Sequence, residues 1–179
     1  MKKKGKYKTM LIVVISIIAV IFIQTLPIWF LQPLGSKSIV SDEINLNYQA
    51  GDEEGANEVF ELLKQKADTI RTRMNFKSGE STNVYLYKTQ WQLAIREAGF
   101  ITLVFAPSWY IGDSHNGNVM MVSPFTPVKG HTHDSILVAA LHEFVHSIVY
   151  KVNPKLSYFW DNGLATYLSE QKPMEKEIE

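Results

Sequence analysis

Five lysines stand within the first eight residues, and behind them the chain runs from Met10 to Leu31 without a single charge. A buried core helix is the bland alternative, and a lysine cluster followed by uninterrupted hydrophobicity argues against it. At 1.5 Å per residue these 22 residues match the roughly 30 Å of a bilayer's hydrocarbon core. The lysines hold the N-terminus on the cytoplasmic side, and Trp29 falls where an interfacial aromatic belongs. The segment therefore predicts a single-pass signal-anchor over 10–31 behind a basic cytoplasmic segment, 1–9, with everything later outside the cell. The alternative is a cleaved secretory signal, because the strictly apolar stretch ends at Ile23 and Pro27 can mark a boundary. No small-x-small cleavage site follows, which favours the anchor.

What remains is enough for one domain. Five of the 18 basic residues lie in the leader, which leaves 13 against 18 acidic ones and gives no footprint for nucleic acid. The chain has no cysteine, so disulfides, thiolate metal sites and cysteine nucleophiles are excluded.

Residues 32–51 lack sustained periodicity and read as a linker with room for one short strand. A domain is expected over 52–171, followed by a charged tail, 172–179. Val59, Phe60, Leu63, Ala67, Ile70 and Met74 recur at helical spacing and predict an amphipathic helix over 53–75. Asn83–Lys88 alternates as a strand does, and Thr89 with Gln92 forms a capping pattern that opens a short helix ending near Gly99. Phe100–Phe105 predicts a second strand. Asn116-Gly117 between two apolar runs predicts a hairpin over 108–123. Asp134 or Ser135 caps a helix whose apolar positions run to about Lys151, and a last helix is expected near Asp161–Gln171 after the break at Asn153-Pro154.

Inside the helix at 135–151 stands His142-Glu143-Phe144-Val145-His146. Residues four apart share a helix face one turn up, so both imidazoles can point at one metal ion, with Glu143 beside them as a base. The plainer alternative is a pair of hydrogen-bonded core histidines. Burying two imidazoles and a carboxyl without a metal is costly on a helix that is otherwise apolar.

The stretch from Asp134 to Glu170 resembles the active-site core of the gluzincin (peptidase MA-like) metallopeptidases, in which an HExxH helix is followed by a second helix carrying W-x-x-E-G-x-A-x-Y. Here the second motif stands as Phe159-Trp160-Asp161-Asn162-Gly163-Leu164-Ala165-Thr166-Tyr167. The resemblance implies an α+β, zincin-like domain, a small mixed sheet packed on the HExxH helix behind the transmembrane helix. It implies zinc held by His142, His146 and a third donor, with a peptide or protein as substrate. Glu143 would activate water and then protonate the leaving amine.

Where the family places its third ligand, a Glu, this chain has Asn162. The neighbouring Asp161 is anionic but points about 100° away on a helix, and Glu170 lies roughly 12 Å further along. The chain also stops about twelve residues past the motif, where the family continues into a helical subdomain forming the other cleft wall. Tyr110, His131 and His133 are candidates for the residue which that subdomain would supply to stabilise the reaction intermediate. The hairpin strand at 118–123 is expected to line the cleft and take substrate backbone as an added strand. Two functions follow: a membrane-anchored extracytoplasmic zinc peptidase, or a degenerate pseudopeptidase that displays the cleft as a binding surface.

Overall fold

A helix, α1 (Lys2–Thr25), opens the chain and ends in a short 3-10 turn over Leu26–Trp29. The structure, a computed structural model, describes residues 2–76, 79–105 and 107–171; the charged tail expected at 172–179 lies outside the described residues. Over Lys6–Trp29 the chain is long and apolar enough to cross a membrane, with a mean hydropathy of 2.8, and almost none of it is buried against the rest of the protein.

The remainder is a mixed α+β arrangement around a five-stranded sheet. Strands β1 (Ser36–Val40) and β2 (Ile44–Gln49) form an antiparallel pair. Helix α2 (Glu53–Arg73) carries the chain over to β3 (Thr82–Tyr87), which lies parallel to β2. Two short helices follow, α3 (Gln90–Ala98) and α4 (Thr102–Phe105), and then the hairpin of β4 (Gly112–His115) and β5 (Asn118–Val122). Strand β5 inserts parallel beside β3, which makes the order β1-β2-β3-β5-β4. Helices α5 (His133–Val152) and α6 (Tyr158–Leu168) complete the described chain.

Alternation along the strands sorts the two sheet faces. Ile44, Leu46, Val84, Leu86, Val119 and Met121 are fully buried with Val59 and Leu63 of α2 and Phe144 and Ile148 of α5. Across the strands, Asn45, Asn83 and Asn118 hydrogen-bond side chain to side chain in a row, at 3.1 and 3.0 Å. At the hairpin tip Asn116 and Gly117 both have positive φ, 50° and 77°. That is the backbone of a type I′ turn and the reason Asn-Gly marks it.

Five expectations need correction. The segment at 32–51 is not a linker with one strand but carries β1 and β2, and β2 is among the most buried strands of the sheet. Residues 100–105 form no strand and pair with none of the five: the Leu103 and Val104 N–H groups bond back to the Phe100 and Ile101 carbonyls in helical turns. Helix α5 is capped earlier than Asp134 or Ser135, by Thr132, whose hydroxyl accepts from the Ser135 N–H while the Ser135 hydroxyl accepts from the Thr132 N–H. Strand β5 is interior, hydrogen-bonded on both sides, and cannot take an added strand; the free edge beside α5 belongs to β4. Helix α6 also begins at Tyr158, so Asp161 sits within its first turn, where a negative charge is favoured.

Candidate metal centre

Helix α5 presents His142 and His146 one turn apart, as their spacing requires, and their Nε2 atoms converge to 3.0 Å. Nδ1 of His146 lies 2.7 Å from Oδ1 of Asp161. With a carboxylate accepting there, the proton belongs on Nδ1 and the Nε2 lone pair is free toward His142, which is the tautomer a metal ligand needs. His142 is less well provided for. Its Nδ1 is buried and has no hydrogen-bond partner among the described residues. Burial and then the neighbouring His146 hold the pKa of His142 below its ordinary value, against weaker contacts from Asn162 and Gln171.

Two nitrogens bound at about 2.0–2.1 Å to one tetrahedral ion stand roughly 3.3 Å apart. The 3.0 Å between the two Nε2 atoms is a hydrogen-bond distance, a few tenths of an ångström short of that spacing. Among the described residues no group of three His, Cys, Asp or Glu side chains stands at metal-holding distances. Asp161 faces the far nitrogen of His146. Asn162 lies on the next position of α6 and lines an open depression with Tyr158, Gly163, Thr166 and Gln171. The imidazole pair is compatible with two ligands of one ion, and among the described residues no carboxylate joins them at metal-holding distance.

Glu143 is largely buried beside the pair. Its pKa is pushed up to about 8, first by loss of solvation and then by the charges of Asp113, Glu97 and Asp161. The backbone of β4 approaches closely: a Cβ on Gly112 would stand 3.4 Å from Cγ of Glu143. Asp113, next along that strand, lines a cleft of about 220 Å³ with Ser114, His146, Tyr150, Tyr158 and Asp161. The Tyr110 hydroxyl donates to Oε2 of Glu97. Burial, then Glu97, Asp113 and Glu143, push the Tyr110 pKa well up. Glu97 and Asp113 were not singled out from the sequence. Nothing in the spacing of α3 or of the hairpin marks them, and only the fold brings them to Glu143. His131 and His133 stand instead at the start of α5, where His131 meets Ser135 at 3.3 Å and His133 meets Glu58 at 2.7 Å. His133 precedes His142 by nine helical positions, about 13 Å. Glu170 lies beyond the end of α6, in a left-handed conformation with φ 57°.

The acidic group has a pH signature. The Asp113 pKa is raised to about 7, chiefly by burial and then by Glu97, so the folded protein binds a proton there that the unfolded chain releases near pH 4. Stability from this residue is greatest below that unfolded value and is lost as pH rises toward 7. Asp113→Asn is therefore expected to raise the thermal midpoint of the metal-free protein at pH 8, with a gain that vanishes near pH 4. Because Asp113 keeps some solvent contact, about 1 kcal/mol is the expected size. Circular dichroism melts at both pH values, with a chelator present, read the difference; an equal effect at both would show that it does not arise from Asp113 ionisation.

No family model matches this chain, and neither a curated protein nor a solved structure does.

Proposed function

We propose that the chain is a membrane-anchored zinc peptidase with a zincin-like domain outside the cell. In this account the helix over 10–31 is a single-pass anchor and the N-terminus is cytoplasmic. The observation that carries the peptidase reading is the convergence of the two imidazoles at 3.0 Å, with the tautomer of one fixed by Asp161. His142 and His146 would hold the ion, Asn162 would offer an amide oxygen, and Asp161 would orient His146 without binding metal. When bound, zinc supplies a Lewis acid that polarises the scissile carbonyl and acidifies water. Glu143 takes the proton from the attacking water and delivers it to the leaving amine. Burial and the neighbouring carboxylates hold the Glu143 pKa up at about 8; a bound cation would favour its ionised form. The open edge of β4, directly against Glu143, offers backbone groups that a peptide can pair with.

An amide oxygen neutralises none of the ion's charge, so the site is expected to bind zinc weakly. Two substitutions test the assignment, read as zinc affinity by competition with a chelating dye on the full chain in detergent. Asn162→Glu is expected to tighten zinc at least tenfold, and Asp161→Asn to weaken it by about 10- to 100-fold, the usual effect of losing a carboxylate behind a ligating histidine. If Asn162→Glu leaves affinity unchanged, the third donor lies elsewhere. Protein that stays metal-free after incubation with zinc would sink the enzymatic reading altogether. That result would favour the pseudopeptidase, the reading to which the lack of a third carboxylate among the described residues already points.

A further inference from the structure

The segment after α3 carries five large apolar side chains in six positions, Phe100, Ile101, Leu103, Val104 and Phe105, and all five are exposed. Val104 and Phe105 retain 74% and 72% of their accessible surface. Isolated apolar residues on a surface need no explanation, but a contiguous patch does. Its place in the fold supplies one. The patch is fastened to the last turn of α1: the Gln24 side chain accepts from the Ile101 N–H at 2.7 Å and donates to the Ala98 carbonyl at 2.9 Å, and the Gln24 carbonyl accepts from the Phe100 N–H at 3.2 Å. Gly99 makes this approach possible. Its φ is 80°, and a Cβ there would lie 2.2 Å from the Gln24 carbonyl oxygen.

Depth follows from helix geometry. Gln24 is fourteen residues past Met10, about 21 Å along the axis at 1.5 Å per residue. With Met10 at the inner edge of a hydrocarbon core about 30 Å thick, Gln24 lies below the outer edge of that core. Polar groups at that depth must be satisfied within the protein. Several are: besides the three Gln24 bonds, the Thr25 hydroxyl donates to the Ile21 carbonyl and the Thr102 hydroxyl to the Gly99 carbonyl. The apolar side chains are exposed, while the N–H groups of Phe100, Ile101, Thr102, Leu103 and Val104 are hydrogen-bonded.

We propose that residues 99–105 lie in the outer lipid leaflet beside α1, so that the domain is seated on the bilayer at this patch. The occupant of the patch is lipid, because the patch is fastened through Gln24 to an apolar helix of which only 6% is buried within the protein. The inference rests on the membrane-anchor part of the function proposed above and is independent of the peptidase part.

The chain has no cysteine, so single cysteines can be introduced into the full-length protein and labelled with an environment-sensitive nitrobenzoxadiazole dye in phosphatidylcholine vesicles. Three positions suffice: Ile17→Cys within α1, Val104→Cys in the patch, and Lys64→Cys on the exposed face of α2. The Ile17 and Val104 labels are expected to emit to the blue and to lose fluorescence when the lipids carry brominated acyl chains, while the Lys64 label stays unchanged. A quenched Ile17 label beside a Val104 label that behaves like Lys64 overturns the proposal and leaves the anchor standing. A blue-shifted Val104 label that brominated lipid does not quench also overturns it, since a protein surface then covers the patch. An unquenched Ile17 label removes the anchor, and the proposal falls with it.

Discussion

Glu143→Gln is expected to reduce peptide cleavage by about 100- to 10,000-fold, the usual contribution of a positioned general base, while zinc content stays that of the unaltered protein. The contrast is the point of the experiment. Glu143 contributes no nitrogen to the convergence of His142 and His146, so a metal-binding defect would place it in a different role. Folding should not suffer either. Glu143 sits largely buried among Asp113, Glu97 and Asp161, all of which raise its pKa, and a neutral amide of the same shape removes a carboxyl that the fold tolerates only at a cost. Full-length protein in detergent, loaded with zinc and given an unfolded protein substrate, provides the assay. Cleavage that survives both Glu143→Gln and a chelator would come from something other than this site. Zinc-loaded protein that remains inactive on a broad peptide library, even with Asn162→Glu in place, would leave the pseudopeptidase as the better account.

Leu46→Ala is expected to destabilise the domain by about 2–5 kcal/mol, the range for truncating a fully buried leucine. In a linker the same change would cost almost nothing. Leu46 has no exposed surface and lies on β2, between β1 and β3 and under α2. Its loss removes contacts from the middle of the core. Urea unfolding followed by tryptophan fluorescence measures the change, and Leu34→Ala, at a position 79% exposed, is the matched control. Equal midpoints for the two variants would mean that β2 is not held in the sheet.

That strand shows where the sequence stopped being legible. In β2 the core positions Ile44, Leu46 and Tyr48 do alternate, but Asn45 and Asn47 between them are poor strand formers, and the signal was lost among polar neighbours. Their use becomes visible only when the sheet is assembled and Asn45 meets Asn83. The segment at 100–105 failed in the opposite direction. Its composition is that of a strand, yet propensity needs a partner edge, and the nearest polar backbone belongs to α1. Long periodic elements were readable because many positions vote together: α2, β3, the hairpin and α5 all stand close to where their patterns put them. In the candidate site, spacing alone was enough to bring His142 and His146 together. Spacing does not say which nitrogen a carboxylate will meet, so the place of Asp161 on Nδ1 of His146 had to come from the packing of α6 on α5. Glu97 and Asp113 arrive from two other elements and carry no local mark at all.

Helix α5 has one more consequence, for the chain before it folds. Its 20 residues are long and apolar enough, with a mean hydropathy of 1.3, to pass for a second membrane span. A polypeptide threading outward through a secretion channel is sampled segment by segment, and a sufficiently greasy stretch slips sideways into lipid. Glu143 stands at the midpoint of α5 with a histidine one position before it and another three after. An ionised group at the centre of a candidate span opposes lateral insertion by about 2.5–3.5 kcal/mol. On the topology proposed above, His142, Glu143 and His146 would also oppose lateral escape of the nascent helix into lipid, a routing role that the same five residues would carry whether or not they bind a metal.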